Sequence, residues 1–214
     1  MDWSTLKEGL EIGYYFCGIL LSLSIIIGVK QLKLLKKDMV DKNRRASVEK
    51  SIEVLAYFAR KFIPAYDEYL RKFRAEIPKR KDTSYLINGE FNISIENLDK
   101  ESKIEVIVQQ DSGLIQLFNE LEFFSLGILE GLAVDKLVYT PIAKEYCKMI
   151  EREHLLLSAL RNKGAPYKNV VGLYMKWKDR LELEQMELQK TQLEHKINMN
   201  GDNHKDIPPI GTSL

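Results

Sequence analysis

The chain is poor in the residues from which reactive and metal-binding sites are built. It has 2 cysteines and 3 histidines in 214 residues. Cys17 and Cys147 lie far apart, and a reducing cytosol would oppose a disulfide between them. Two Cys and three His offer no zinc spacing. Glu151-x-x-His154 occurs once, whereas a carboxylate-bridged di-iron site needs the motif twice. There is no Gly-rich phosphate loop, no G-x-S-x-G and no Cys–His arrangement. No cofactor, metal or catalytic set is therefore expected, and the chain does not read as an enzyme. An excess of either charge is also missing: 32 Lys and Arg stand against 31 Asp and Glu, a net charge of +1. That balance gives no ground for nucleic-acid binding.

The most informative absence is local. Residues 12–29, IGYYFCGILLSLSIIIGV, contain no charge. As a helix they would extend about 27 Å, close to the roughly 30 Å hydrocarbon core of a bilayer. Ser22 and Ser24 can satisfy their hydroxyls on the helix backbone. A cleaved signal peptide would have a basic start and a small-residue cleavage site. This start carries Asp2, Glu8 and Glu11 against Lys7, and its apolar run ends in Lys30. The reading is an uncleaved transmembrane anchor.

Charge sets its direction. Lys7 is the one basic residue before the span; Lys30, Lys33, Lys36, Lys37, Lys42, Arg44 and Arg45 follow it. Basic residues stay on the cytoplasmic side. The expected location is the plasma (inner) membrane, single-pass, with the N-terminus outside and the C-terminal part cytoplasmic. Trp3, Tyr14 and Tyr15 suit the outer interface.

The expected fold is mainly all-α: one N-terminal transmembrane helix continuing into a cytoplasmic helical bundle. Residues 1–29 form the N-terminal segment and span, 30–46 a basic juxtamembrane stalk, 47–197 the helical domain and 198–214 a disordered tail. No Gly or Pro interrupts residues 30–63. Val48, Ile52, Leu55, Ala59 and Phe62 recur at helical steps, and Pro64 marks a kink or restart. Tyr66, Tyr69, Leu70 and Phe73 continue as a short helix to about Pro78. Asn88-Gly89 favours a type I′ turn, so 84–95 reads as a small β-hairpin or a disordered loop. Helix returns over 100–132, broken at 111–113, with Asp111 or Ser112 as N-cap. Leu117, Leu121, Phe124 and Ile128 should form its buried face. Thr140-Pro141 fits an N-cap and first helical position for a helix to about Arg161, after a short turn or helix at 135–139. A last helix runs from about Tyr167 to Lys196. Beyond Leu181 it carries Leu183, Met186, Leu193 and Ile197 at heptad-like spacing, interrupted by Lys190.

Residues 117–132, LFNELEFFSLGILEGL, are followed by Asp135 and a later Tyr174–Trp177 helix. With the juxtamembrane RRASVEKSIEVLA, they resemble a bacterial and phage helical family of unknown function with a single N-terminal membrane anchor. The resemblance covers residues 5–180, and the segment 78–99 departs from the family's simplest form. It implies the anchored architecture and no catalytic residue. Phage and prophage settings associate the family with phage defence.

Three groups of side chains invite a role. Gly13, Cys17, Ser24 and Gly28 fall within about a 60° arc of one helix face, where small residues let membrane helices approach closely. They are the candidates for self-association into a homo-oligomer. Lys30, Lys33, Lys36, Lys37, Arg44 and Arg45 are candidates for contact with anionic lipid headgroups. Glu122 and Glu130 are expected to form an ion pair or a cap between helices, with Arg152 or Arg161 on the next helix as candidate partners, because a buried carboxylate needs a partner. The functional expectation is a membrane-anchored interaction or regulatory module acting through oligomerisation and contacts with an unidentified protein partner. The alternative is a membrane-perturbing effector of a phage-defence or prophage system.

Overall fold

The computed structural model describes residues 3–80, 83, 87 and 90–200. Among them there is no strand. The fold is all-α: α1 is Trp3–Tyr57, α2 Ile63–Glu76, α3 Lys100–Asp111, α4 Leu114–Leu129, α5 Asp135–Arg152, α6 His154–Asn162 and α7 Lys168–Asn200. The chain divides into two units between Glu49 and Lys50.

In the first unit α1 carries the uncharged span. Its described side chains from 13 to 27 are all exposed, with Tyr14 at 77% and Ile25 at 68%. Ser22 Oγ donates to the Gly18 carbonyl and Ser24 Oγ to that of Leu20, each at 2.9 Å, so neither hydroxyl needs an outside partner. Among the described residues, one helix is long and apolar enough to cross a membrane.

The second unit has one core. Helix α4 buries Leu114, Leu117, Phe118, Leu121, Phe124, Ser125 and Ile128. It packs chiefly on α7, which also covers α5; α6 packs on α3, and α2 meets α3 and α4. Trp177, fully buried, is the hub: Phe124, Tyr139 and Tyr146 meet its ring edge-on at 6.5, 6.0 and 5.2 Å. Edge-to-face contact lets aromatic rings pack with favourable quadrupole alignment.

Between α1 and α2 the helix does not stop at Pro64 but widens before it. Phe58–Phe62 is a π turn, with the Ile63 N–H bonded to the Phe58 carbonyl. Pro64 lacks a donor and its ring crowds the carbonyl four residues back, so the wider turn relieves it. An aromatic ladder runs through this junction: Phe58, Phe62, Tyr66, Tyr69 and Phe73 follow one another at 5.0, 6.4, 5.6 and 6.0 Å between ring centres.

Several expected boundaries move. Helix α5 starts at Asp135 and contains Pro141, so Thr140 is no N-cap; its hydroxyl donates back to the Lys136 carbonyl. The earlier start is held by tertiary contacts. Trp177 Nε1 donates to Asp135 at 2.9 Å, and Val138 and Tyr139 are buried. The helix expected to run to Arg161 breaks at Glu153, which leaves helical geometry. The N-cap of α4 is neither Asp111 nor Ser112 but Gly113, at φ +98°. Only a residue without a Cβ sits there at low cost. Of the expected hairpin, 84–86 and 88–89 lie outside the described residues. Residues 91–94 are irregular and lead into a 3₁₀ turn at Ile95–Asn97. Of the expected tail, 198–200 still belong to α7 and 201–214 lie outside the described residues.

Candidate functional site

The break at Glu153 marks the most organised polar site of the second unit. Glu153 is fully buried, and a buried carboxylate is tolerated only with partners. Tyr66 and Tyr69 donate to its two oxygens at 2.8 and 2.7 Å. Gln109 Nε2 donates at 3.0 Å, and Arg80 Nη2 at 2.9 Å. The Arg80 guanidinium also donates through Nε to Glu105 at 2.5 Å and lies 4.9 Å from the centre of the Phe73 ring. Gln109 turns its carbonyl to the Leu156 N–H, one of the donors the new helix leaves open. The helix breaks because these partners draw Glu153 inward.

Electrostatically the junction holds two carboxylates against one guanidinium. Burial disfavours the Arg80 charge, but Glu153 and Glu105 outweigh it and hold Arg80 firmly protonated. Burial raises Glu105 above the usual carboxylate range, with Arg80 acting in the opposite sense. Burial, then the charge of Glu153, pushes Tyr66 and Tyr69 upward, so both phenols keep their protons. The arrangement is a clamp: one carboxylate ties α2, α3, the α5–α6 break and the Arg80 side chain together. Nothing in the reading of the sequence singled out Glu153, Arg80, Glu105 or Gln109. The available signal was Glu153 standing between Ile150 and the buried Leu155, Leu156 and Leu157.

Of the ion pair or cap expected between helices, Glu122 makes the cap, and neither Glu122 nor Glu130 pairs with Arg152 or Arg161. Glu122, half-buried, accepts from the Asn169 and Val170 backbone N–H groups at 3.2 and 3.0 Å, and from Asn169 Nδ2 at 2.9 Å. It caps the first turn of α7, where open N–H donors favour negative charge. Glu130 is exposed at the end of α4. Arg152 reaches only the Tyr66 hydroxyl, at 3.5 Å. Arg161 donates to the carbonyls of Glu90 and Pro166. Glu151 and His154 turn apart. Glu151 accepts from Tyr174 and from Lys178 Nζ at 3.1 and 2.6 Å, whereas the His154 ring is buried, with Nδ1 2.8 Å from the Glu151 carbonyl. Cys147 is buried, and that burial, followed by the charge of Glu151, pushes its thiol up to about 12.

In the first unit, Gly13, Cys17 and Ser24 are exposed and Gly28 partly so; a Cβ on Gly13 or Gly28 would meet open space. Lys30, Lys33, Lys36, Lys37, Arg44 and Arg45 are all exposed. No family model, curated protein or solved structure matches the chain.

Proposed function

We propose that this chain is a single-pass membrane protein whose cytoplasmic helical part is an interaction or regulatory module, working through self-association and contacts with another protein. One observation carries the reading: an uncharged apolar span whose described side chains from 13 to 27 are all exposed. In water so much exposed apolar surface is a liability; in lipid it is ordinary. The Lys and Arg asymmetry supports the N-terminus outside and residues from 30 onward in the cytoplasm. The open face of Gly13, Cys17, Ser24 and Gly28 supports close approach of a second anchor.

Carbonate washing of membranes followed by protease treatment of spheroplasts tests the anchor and its direction together. The protein should stay in the pellet and its C-terminal part should survive; release by carbonate ends the reading, and digestion reverses the topology. Mild oxidation should trap a Cys17–Cys17 dimer, and Gly28→Ile should abolish it. Leakage of dye from liposomes holding the purified protein would point instead to a membrane-perturbing effector.

A further inference from the structure

The structure divides the basic residues after the span into two groups of different character. Residues 30–37 hold Lys30, Lys33, Lys36 and Lys37 and no acid, a net charge of +4. Residues 38–49 hold Lys42, Arg44 and Arg45 against Asp38, Asp41 and Glu49, a net charge of zero. Helix α1 runs through both groups without a break, so distance from the apolar span can be read along its axis. Lys37 lies about 12 Å beyond Val29 and Arg44 about 22 Å beyond it, at roughly 1.5 Å per residue. The headgroup layer on one side of a bilayer is about 5–8 Å deep, and screening lets its field extend about 8 Å further. The net positive charge thus ends where the field of a membrane surface ends.

The first group also has a direction. At 100° per residue, Lys30, Lys33 and Lys37 fall within an arc of about 60°, with Lys36 about 60° further round and Leu32 and Leu35 on the opposite side. All four lysines are exposed, and no ion pair between described residues engages any of them. We infer that Lys30, Lys33 and Lys37 form a binding face for anionic phospholipid headgroups, and that Arg44 and Arg45 take no part in it. This rests on the anchored reading above. A free polyanion such as a nucleic acid would gain from a basic face that continued along the helix; here it is neutralised just past Lys37.

The test uses the full chain in phosphatidylcholine liposomes containing a minor fraction of phosphatidylglycerol. Spin-labelled versions of each lipid report which is immobilised beside the protein. The wild type should select phosphatidylglycerol, and K30Q/K33Q/K37Q should lose most of that selectivity, up to about fivefold for each lysine near the surface. R44Q/R45Q should behave as wild type, and K30R/K33R/K37R should retain the preference. Undiminished selectivity in the triple glutamine variant, or an equal loss in R44Q/R45Q, overturns the inference. Carbonate washing of the same liposomes keeps the two readings apart. Protein that stays but selects no lipid defeats only the lipid face, whereas protein that washes off defeats the anchor and this face with it.

Discussion

Residues 12–29 and helix α4 are both rich in leucine, isoleucine and aromatic side chains, but they differ in where their polar residues stand. In α4, Gln116, Asn119, Glu120 and Glu122 interrupt the apolar series, and the face they leave free is buried by α7 and α2. In residues 12–29 no charge interrupts anything, and every described side chain from 13 to 27 is exposed. Apolar content alone therefore does not tell a core helix from one that is only long and apolar enough to cross a membrane. The polar positions do, because they mark the side that must meet water.

This contrast can be attacked from the core side first. Arg80→Ala should have the largest effect, since it leaves Glu153 and Glu105 buried without their cation. Breaking a buried pair from one side costs about 3–5 kcal/mol. Thermal unfolding of the full chain in detergent measures it; an unchanged midpoint would mean that the junction does not hold α2 and α3 to α6. Leu121→Ala should cost about 2–5 kcal/mol, as truncations in packed cores do. Leu23→Ala in the span, at 50% exposure, should leave the same unfolding transition in place. Equal losses from the two substitutions would erase the distinction between the regions.

Smaller effects sharpen the picture. Glu122→Ala removes the cap from α7 and should cost about 1–2 kcal/mol, the upper range for a lost helix cap. Glu122→Gln keeps an acceptor and should cost less. A Glu122→Ala protein as stable as the parent would show that the cap adds nothing. The smallest effect concerns pH. Burial lowers the His154 pKa below its ordinary value of 6.5, with the Glu151 carbonyl acting against it. A depressed histidine favours the fold while both states are neutral, above the unfolded value, and that stability drains away as pH falls below it. Unfolding midpoints should therefore decline as pH drops below about 6.5, and His154→Phe should flatten that limb. Glu105, raised by burial, has the opposite sign: its contribution is present at low pH and lost as pH rises through its folded pKa. An unchanged decline in the His154→Phe protein would assign the limb to another group.

Much of the helical pattern was legible because it is local. The buried face of Leu117, Leu121, Phe124 and Ile128 follows from helical spacing, and the end of α6 at Asn162 follows from Asn162-Lys163-Gly164, with Gly164 at φ +99°. What stayed hidden depends on residues distant in the chain. Whether Glu153 continues a helix or ends one is decided by Tyr66, Tyr69, Arg80 and Gln109, none of them near it in sequence. Pro141 looked like a helix start by local rule, yet Trp177 and Asp135 fix the start six residues earlier. The carboxylate at 122 was recognised as needing a partner. Its real partners, the open N–H groups at the start of α7 and the Asn169 amide, carry no charge that would mark them as an arginine is marked.

The burial of Cys147 has a practical side. With the Cys147 thiol buried and held protonated at neutral pH, thiol-directed reagents meet one exposed cysteine in the folded chain, Cys17. The native protein can thus be labelled at a single defined position without mutagenesis. On the anchored reading proposed above, the depth of that position can be read by comparing reagents that cross a bilayer with reagents that cannot. Slow labelling at Cys147 would then report local opening around this buried position on α5.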